Sequence, residues 1–444
     1  NPCKTPRTNP VGGGEPRKDT RLLYIPLARR QEGMGEVCRL LTAHNCDGEE
    51  LPETAPEFKE VIVIYPLENF PAQLRGNEYL GVRPWQLNTL IRPELKPLRN
   101  RMVILSPVTF RTKTEHNLHR ILRAMDRNVV LSKLPIDDTC LISEYMRPEE
   151  ELLALYRDFP EIIENTRQTL EECNFIFDFG TPKNKKHFTG TKEGDKERLE
   201  QLALEGLERR YGLHHTEARE RAKKELGIID DMNFSAYFLI TWDIVQYSNR
   251  MGFMHIGRGS GANSIVSYCL GITDICPLEL DLYFERFLNL NRKAPPDFDI
   301  DWSWKDRDTI LRYIFDRYGK EHVAFCGTNV EFKYRSIVRE VGKVFGLPKE
   351  ELDTLTNSPR EAHDPNSVVR LVHKYGMLLE KYPNQRSMHA CGVFISEEPL
   401  TNYTALEMPP KGFPIVQFDM HIAEEIGLEK FDILSQRGIG HLND

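Results

Sequence analysis

In the run Pro296-Asp297-Phe298-Asp299-Ile300-Asp301-Trp302, carboxylates alternate with bulky apolar residues. Residues two apart on a strand share a face, so Asp297, Asp299 and Asp301 line one side and Phe298, Ile300 and Trp302 the other. Three anions this close repel one another, and a divalent cation removes that cost. Carboxylate oxygens are hard ligands that suit magnesium, which takes one or two of them together with substrate phosphates. An acidic edge strand facing water, where charge discourages pairing with other chains, explains the same residues. Taken alone, the run leaves both readings open.

Upstream, His255-Ile256-Gly257-Arg258-Gly259-Ser260-Gly261-Ala262-Asn263-Ser264 sets three glycines and two hydroxyls ahead of the apolar stretch Ile265 to Leu270. Backbone N–H groups and hydroxyls leading into a helix make an anion site. A glycine-rich turn that simply caps a helix is the plainer alternative. The segment lacks the Gly-Lys-Ser/Thr ending of a P-loop and does not fit the dinucleotide fingerprint in register. Joined to the carboxylate strand, it reads as a phosphate cradle facing a metal site, the pairing that phosphoryl or nucleotidyl transfer requires. Between the two, Arg286 in Phe284-Glu285-Arg286-Phe287-Leu288-Asn289 is either an ordinary amphipathic arginine or a fork for a triphosphate.

These residues need a scaffold, and 444 residues are too many for one core, so two to four domains are expected. Residues 1–20, rich in Pro, Gly, Lys and Arg, read as a flexible arm. From Arg21 to Leu131 short apolar runs alternate with amphipathic ones, which predicts an α/β domain with parallel strands. Long charged stretches with helical spacing follow from Arg147 to Asn233, and an aromatic helix runs from Phe234 to Tyr247. Helices are expected at Trp304–Tyr318 and Lys333–Phe345, and a small helical insertion at Leu347–Gln385. Strands are expected at Gly392–Ile395, Ile415–Phe418 and Leu428–Asp432.

The formal net charge of −8 argues against a uniformly basic nucleic-acid binder, although a local basic groove is what a nucleic acid senses. Nine cysteines without a CxxC pair exclude a disulfide framework or zinc ribbon and suggest reduced thiols. No apolar stretch is long enough to span a bilayer and no secretory signal is visible, so a cytoplasmic protein without a membrane partner is expected. A chain that starts at Asn1 reads as a piece of a longer protein.

The series Gly257-Arg258-Gly259-Ser260-Gly261, Thr273-Asp274 with Pro277-Leu278, Phe284 to Asn289, Pro296 to Asp301, His389-Ala390-Cys391-Gly392-Val393, Gln417-Phe418-Asp419 and Gly427 to Asp432 closely resembles the C-family DNA polymerases. These are the bacterial DNA polymerase III alpha subunits and their error-prone relatives. The motifs stand in the family's order over about residues 230 to 436, and a weaker resemblance reaches back to about residue 21.

The resemblance implies a multidomain α/β protein with a polymerase-beta-like nucleotidyltransferase palm, carrying a helical thumb insertion and preceded by a partial PHP-like α/β domain. It implies the boundaries 21–146 for the PHP-like part, 147–233 for a helical connector, 234–346 and 386–444 for the two parts of the palm, and 347–385 for the thumb. It assigns Asp299, Asp301 and Asp432 to catalysis and to two Mg2+ ions, with Asp297 in support. Arg258, Gly259, Ser260, Arg286 and Lys430 would bind the nucleotide. Primer-template DNA and a deoxynucleoside triphosphate are the implied ligands, and a sliding clamp and other replisome or repair subunits the implied partners of the full-length protein. His389 and Gln417 lie in matching motifs without a role that can be derived.

The chain departs from the family at both ends. The early His-x-His element of the PHP metal site is absent, Pro107 stands where an aspartate is expected, and His119 reads as a helix residue. A degenerate PHP-like domain without phosphoesterase activity is therefore expected. Fingers and C-terminal domains are missing after Asp444, from which impaired polymerisation is expected. A nucleotide-binding but inactive regulatory palm, or a metal-dependent phosphodiesterase, are the alternatives to a DNA-directed DNA polymerase core.

Overall fold

The computed structural model describes residues 22–112, 115–289, 298–357 and 367–442. The expected arm at 1–20 and Asp297 lie outside the described residues. The strands are β1 (Ile25–Ala28), β2 (Val61–Pro66), β3 (Glu78–Val82), β4 (Met102–Ile104), β5 (His255–Arg258), β6 (Asp299–Ser303), β7 (Val323–Glu331), β8 (Pro383–Ile395) and β9 (Phe431–Gln436). The α-helices are α1 (Gln31–Thr42), α2 (His116–Arg127), α3 (Glu149–Leu155), α4 (Pro160–Glu172), α5 (Lys192–Tyr211), α6 (Thr216–Asp231) and α7 (Ser235–Arg250). They continue as α8 (Ile265–Leu270), α9 (Arg307–Tyr318), α10 (Tyr334–Val344), α11 (Lys349–Asn357), α12 (Ser367–Leu379), α13 (Met420–Ile426) and α14 (Arg437–Leu442).

Two compact units result. The described residues within 1–37, 50–175 and 329–386 form one, and those within 38–49, 176–328 and 387–444 the other. The first unit contains the sheet β1-β2-β3-β4. Parallel strands were expected there, but β1 runs antiparallel to β2, while β2, β3 and β4 are parallel, so the sheet is mixed. Its inner strand β2 is buried along its whole length, as a continuous Val-Ile-Val-Ile-Tyr run requires. Beside β4, the Ile104 N–H donates to the Thr166 hydroxyl of α4 (2.8 Å), and Asn165 donates to the Met102 carbonyl (2.9 Å). Helix α4 thereby satisfies main-chain groups that the end of the sheet leaves over.

Helix α2 belongs to the same unit and buries Leu118, Ile121 and Ala124 against Ile337 and Val341 of α10 and Val372 of α12. The helical insertion thus finds its core on an element far upstream in sequence. His119 packs against the main chain: its Nε2 accepts the Cys140 N–H (2.9 Å), and the neighbouring His116 Nε2 contacts the Cys140 carbonyl (3.1 Å).

The second unit is built on the mixed sheet β5-β6-β9-β8-β7, with β6 and β9 parallel and β5–β6 and β8–β9 antiparallel. One face is apolar: Ile300, Trp302 and Ile433 are buried with Phe238 and Ile244 of α7, Ile265 of α8 and Ile314 of α9. The Trp302 indole N–H donates to the Ser248 hydroxyl (2.8 Å), so this large ring brings no orphaned donor into the core. Expected helices at 265–270 and 304–318 appear, the second beginning at Arg307. Residues 415–418 do not form a strand: Ile415 makes only isolated bridges to Phe325 and Glu407. Strand β7 was not anticipated, since Val323 to Cys326 is buried on both faces and shows no alternation.

The eight cysteines among the described residues are free. No described helix is long and apolar enough to cross a membrane.

Candidate active site

All of the sequence-predicted site residues that are described fall in the second unit. Strand register brings them into a row. Arg258 on β5 faces Asp299 on β6, Asp299 faces Asp432 on β9, and Asp432 faces Gly392 on β8. Asp301 lies two residues beyond Asp299 on the same face, opposite to the one occupied by Ile300 and Trp302. Two carboxylates of β6 and one from a distant part of the chain therefore sit on adjoining strands, which lie about 4.8 Å apart in the sheet.

Two cations neutralise most of this charge. The Arg258 Nε donates to Asp301 (2.8 Å) and its NH1 to Asp299 (3.2 Å). Lys430 Nζ bonds the Oδ2 of Asp432. The bond to Asp301 is the main reason that Arg258 holds its proton more firmly than an ordinary arginine. Asp301 and Asp432 are buried, yet the Asp301 Oδ1 has no hydrogen-bond partner, an expensive omission for a buried anion.

The Gly259–Ser260 turn begins directly after β5 and runs on to Asn263 as a 3-10 helix. Gly259 has φ +74°, and a Cβ there would come within 3.0 Å of the Asp299 carboxylate, so the main chain lies against the acidic row. Arg286 is exposed on a short turn, Phe284–Arg286, that packs beside Gly259–Asn263. Its neighbours Phe284 and Phe287 are buried as anchors, and the Phe287 ring packs on Phe298 (centroids 5.2 Å). Thr273 of the Thr-Asp motif donates to the Gly257 carbonyl (3.0 Å), fixing the end of β5.

The anion site expected at the start of α8 is a different matter. Glu225 of α6 fills it from within: its Oε2 accepts the Ser264 hydroxyl (2.7 Å) and the Val266 N–H (3.2 Å). Any outside phosphate is left with Gly259 and Ser260 rather than with the helix terminus.

His389 and Gln417, whose roles the sequence left open, are held by internal bonds. The His389 Nδ1 accepts the Gly392 N–H (2.9 Å), so it pins the stretch of β8 that places Gly392 beside Asp432, and the proton of the neutral ring is left to Nε2. Gln417 donates to Glu407 (2.9 Å), and Asp419 of the same motif caps α13 by accepting the His421 and Ile422 N–H groups.

Two participants were missed. Cys391 donates its S–H to the Asp432 Oδ1 (3.2 Å). Among the described residues His389, Cys391 and Asp432 form the tightest group of potential ligand atoms, within 4.8 Å of one another. These atoms already serve one another and the backbone. Burial, followed by the Asp432 charge, pushes the Cys391 thiol up to about 12. Native protein treated with iodoacetamide at pH 8 is therefore expected to leave Cys391 unmodified by peptide mass spectrometry, because the reactive thiolate is scarce. The second is Arg307 of α9, which donates to the Ile433 carbonyl (2.8 Å) and the Ala390 carbonyl (2.6 Å) and clamps β9 to β8 beside Asp432. Its position one turn inside a helix predicted from its apolar spacing gave no sign of this task.

The fold and the acidic row define a mixed α/β protein whose site is assembled by strand register. The family profile described as the bacterial DNA polymerase III alpha NTPase domain matches residues 197–435, and the chain belongs to that family. It is 32% identical over 378 residues to the error-prone DNA polymerase of Symbiobacterium thermophilum, covering 81% of this chain and 35% of the relative. It is 31% identical over 390 residues to the DNA polymerase III subunit alpha of Bacillus subtilis, covering 82% and 35%. With the corresponding subunit of Borreliella burgdorferi it shares 37% over 311 residues, 65% of this chain and 27% of the relative. The chain thus spans about a third of the length of the curated relatives it matches.

Proposed function

We propose that the second unit is the palm of a DNA-directed DNA polymerase, transferring a nucleotide from a deoxynucleoside triphosphate to a primer 3′-hydroxyl. The observation that carries this reading is the register of Asp299 with Asp432, which sets carboxylates on adjacent strands with Asp301 beside them. The curated relatives bear the names of DNA polymerases, which points the same way.

The donor set fits magnesium. It consists of carboxylate oxygens only, one of them the buried and unpartnered Asp301 Oδ1. Asp299, Asp301 and Asp432 would hold two Mg2+ ions, which when bound activate the hydroxyl and offset charge on the triphosphate. Arg258 and Lys430 are paired with those carboxylates and, with cations held there, would be able to turn to phosphate oxygens. Gly259 and Ser260 offer main-chain and hydroxyl donors at the same edge, and Arg286 supplies a guanidinium fork from the turn beside them. His389, Cys391 and Arg307 act on geometry: they hold β8 and β9 so that Asp432 keeps its place.

In this reading the helices α11 and α12 form a thumb, and the mixed sheet of the first unit is a remnant of a PHP-like domain. His116 and His119 serve that unit by binding the main chain of Cys140.

Incubating the chain with a primed template, the four deoxynucleoside triphosphates and Mg2+ tests the reading. Slow stepwise primer lengthening, lost on chelation, is expected of a chain that spans about a third of its relatives' length. Triphosphate binding without lengthening would instead mark an inactive nucleotide-binding palm. Release of mononucleotides without added triphosphates would mark a phosphodiesterase.

A further inference from the structure

Most charged residues of α6 face solvent, but Arg221 and Glu225 turn inward. The Glu225 side chain is 0% exposed and that of Arg221 19%, and the two are joined one helical turn apart, Nε to Oε1, at 3.1 Å. Each then reaches a different stretch of main chain. Glu225 accepts from the Ser264 hydroxyl and the Val266 N–H, as described above. One terminal nitrogen of Arg221 donates both to the Asn263 carbonyl (2.8 Å) and to the Leu282 carbonyl (2.6 Å). Asn263 ends the turn that carries Gly259 and Ser260, and Leu282 lies two residues before the turn Phe284–Arg286. At the surface, Lys224 of the same helix pairs with Glu285 (2.5 Å).

A buried ion pair is a poor device for stability, since apolar side chains of similar volume often do as well or better. What the charged pair adds is direction. A planar guanidinium and a carboxylate can hold two separate segments at fixed orientation, which apolar packing cannot.

We propose that Arg221 and Glu225 are positioning residues that lock the Gly259–Ser260 turn and the Arg286 turn to one another, so that both can grip a single triphosphate. This rests on the triphosphate reading of those two turns. It predicts energetic coupling: Arg286 contributes to binding only while Arg221 holds its turn in place.

The test is calorimetric titration of dATP with Mg2+ into the chain and into Arg221→Met, Arg286→Ala and the double variant, with thermal melts to check folding. Each single substitution is expected to weaken binding about tenfold, ~1.4 kcal/mol, and the double variant to be no more than about twofold weaker than either. Arg221→Lys keeps the charge beside Glu225 but lacks the fork. It serves if Arg221→Met does not fold, and is expected to melt like the parent yet bind several-fold more weakly, with a reduced effect of Arg286→Ala. Parent-like affinity in the Arg221 variants, or effects of Arg221 and Arg286 that simply add, would overturn the proposal while leaving the triphosphate site standing. A parent chain with no saturable binding would bring down that site and the proposal with it.

Discussion

Asp301→Asn is expected to reduce primer extension by at least about a thousandfold, ~4 kcal/mol of transition-state stabilisation, with little change in melting temperature. The two halves of this expectation have separate causes. Asn offers one neutral oxygen where the carboxylate offers two charged ones, and the unpartnered Oδ1 is the atom most plainly kept for a cation. Folding loses little because Arg258 retains Asp299 and is itself half exposed, so no isolated charge is left buried. Removing an anion from beside two others also lessens their repulsion. Rapid-quench primer extension and a thermal melt on the same preparation decide it. Extension at the parent rate would remove Asp301 from the catalytic set, and a collapsed melt would make its role structural.

Gly257→Ala should be the most damaging small substitution at the site, costing ~3 kcal/mol or more of stability. The added Cβ would lie 1.9 Å from the Ile272 carbonyl oxygen and 2.8 Å from its carbon, both main-chain atoms that no rotamer change can move. Strand β5 and the segment 272–273 would have to separate, breaking the Thr273 bond to the Gly257 carbonyl. Because Arg258 is the next residue, its hold on Asp299 and Asp301 would shift as well. Urea unfolding measures the loss, and a midpoint equal to that of the parent would show that the segments can part without penalty. Among motif glycines the two have different work: Gly257 permits close approach, Gly259 a positive φ beside Asp299.

The sequence was most legible where period and punctuation agree. Asp299-Ile300-Asp301-Trp302 alternates as a half-buried strand should, and its two faces carry the residues the period assigns to them. Helix α8 is bounded by the Ser264 cap and the left-handed Gly271, both readable signals. Legibility failed where placement depends on distant partners. Cys391 could not be seen to donate to Asp432, because the 392–432 pairing is set by the whole sheet. Glu225 looked like one more acid in a charged helix, and nothing local tells which of those acids turns inward. The expected anion site at α8 failed for the same reason: the helix terminus was read correctly, but its occupant came from α6. In the first unit, the direction of β1 depends on how the chain returns through α1, which apolar runs do not encode.

The parallel pairing of β6 with β9 joins residues about 130 positions apart in the chain. Such a contact carries a high loop-closure entropy, so it should form late, after the intervening segment has condensed. The acidic row would then be absent from early folding species, and the mutual repulsion of its carboxylates would be met only by a nearly finished sheet. The same logarithmic dependence makes the intervening excursion tolerant of change: doubling its length adds only ~0.6 kcal/mol to closure. As far as closure is concerned, the excursion between β7 and β8 can therefore change in length, outside the residues of α10 and α12 that pack on α2, while the register that brings Asp299 to Asp432 stays where it is.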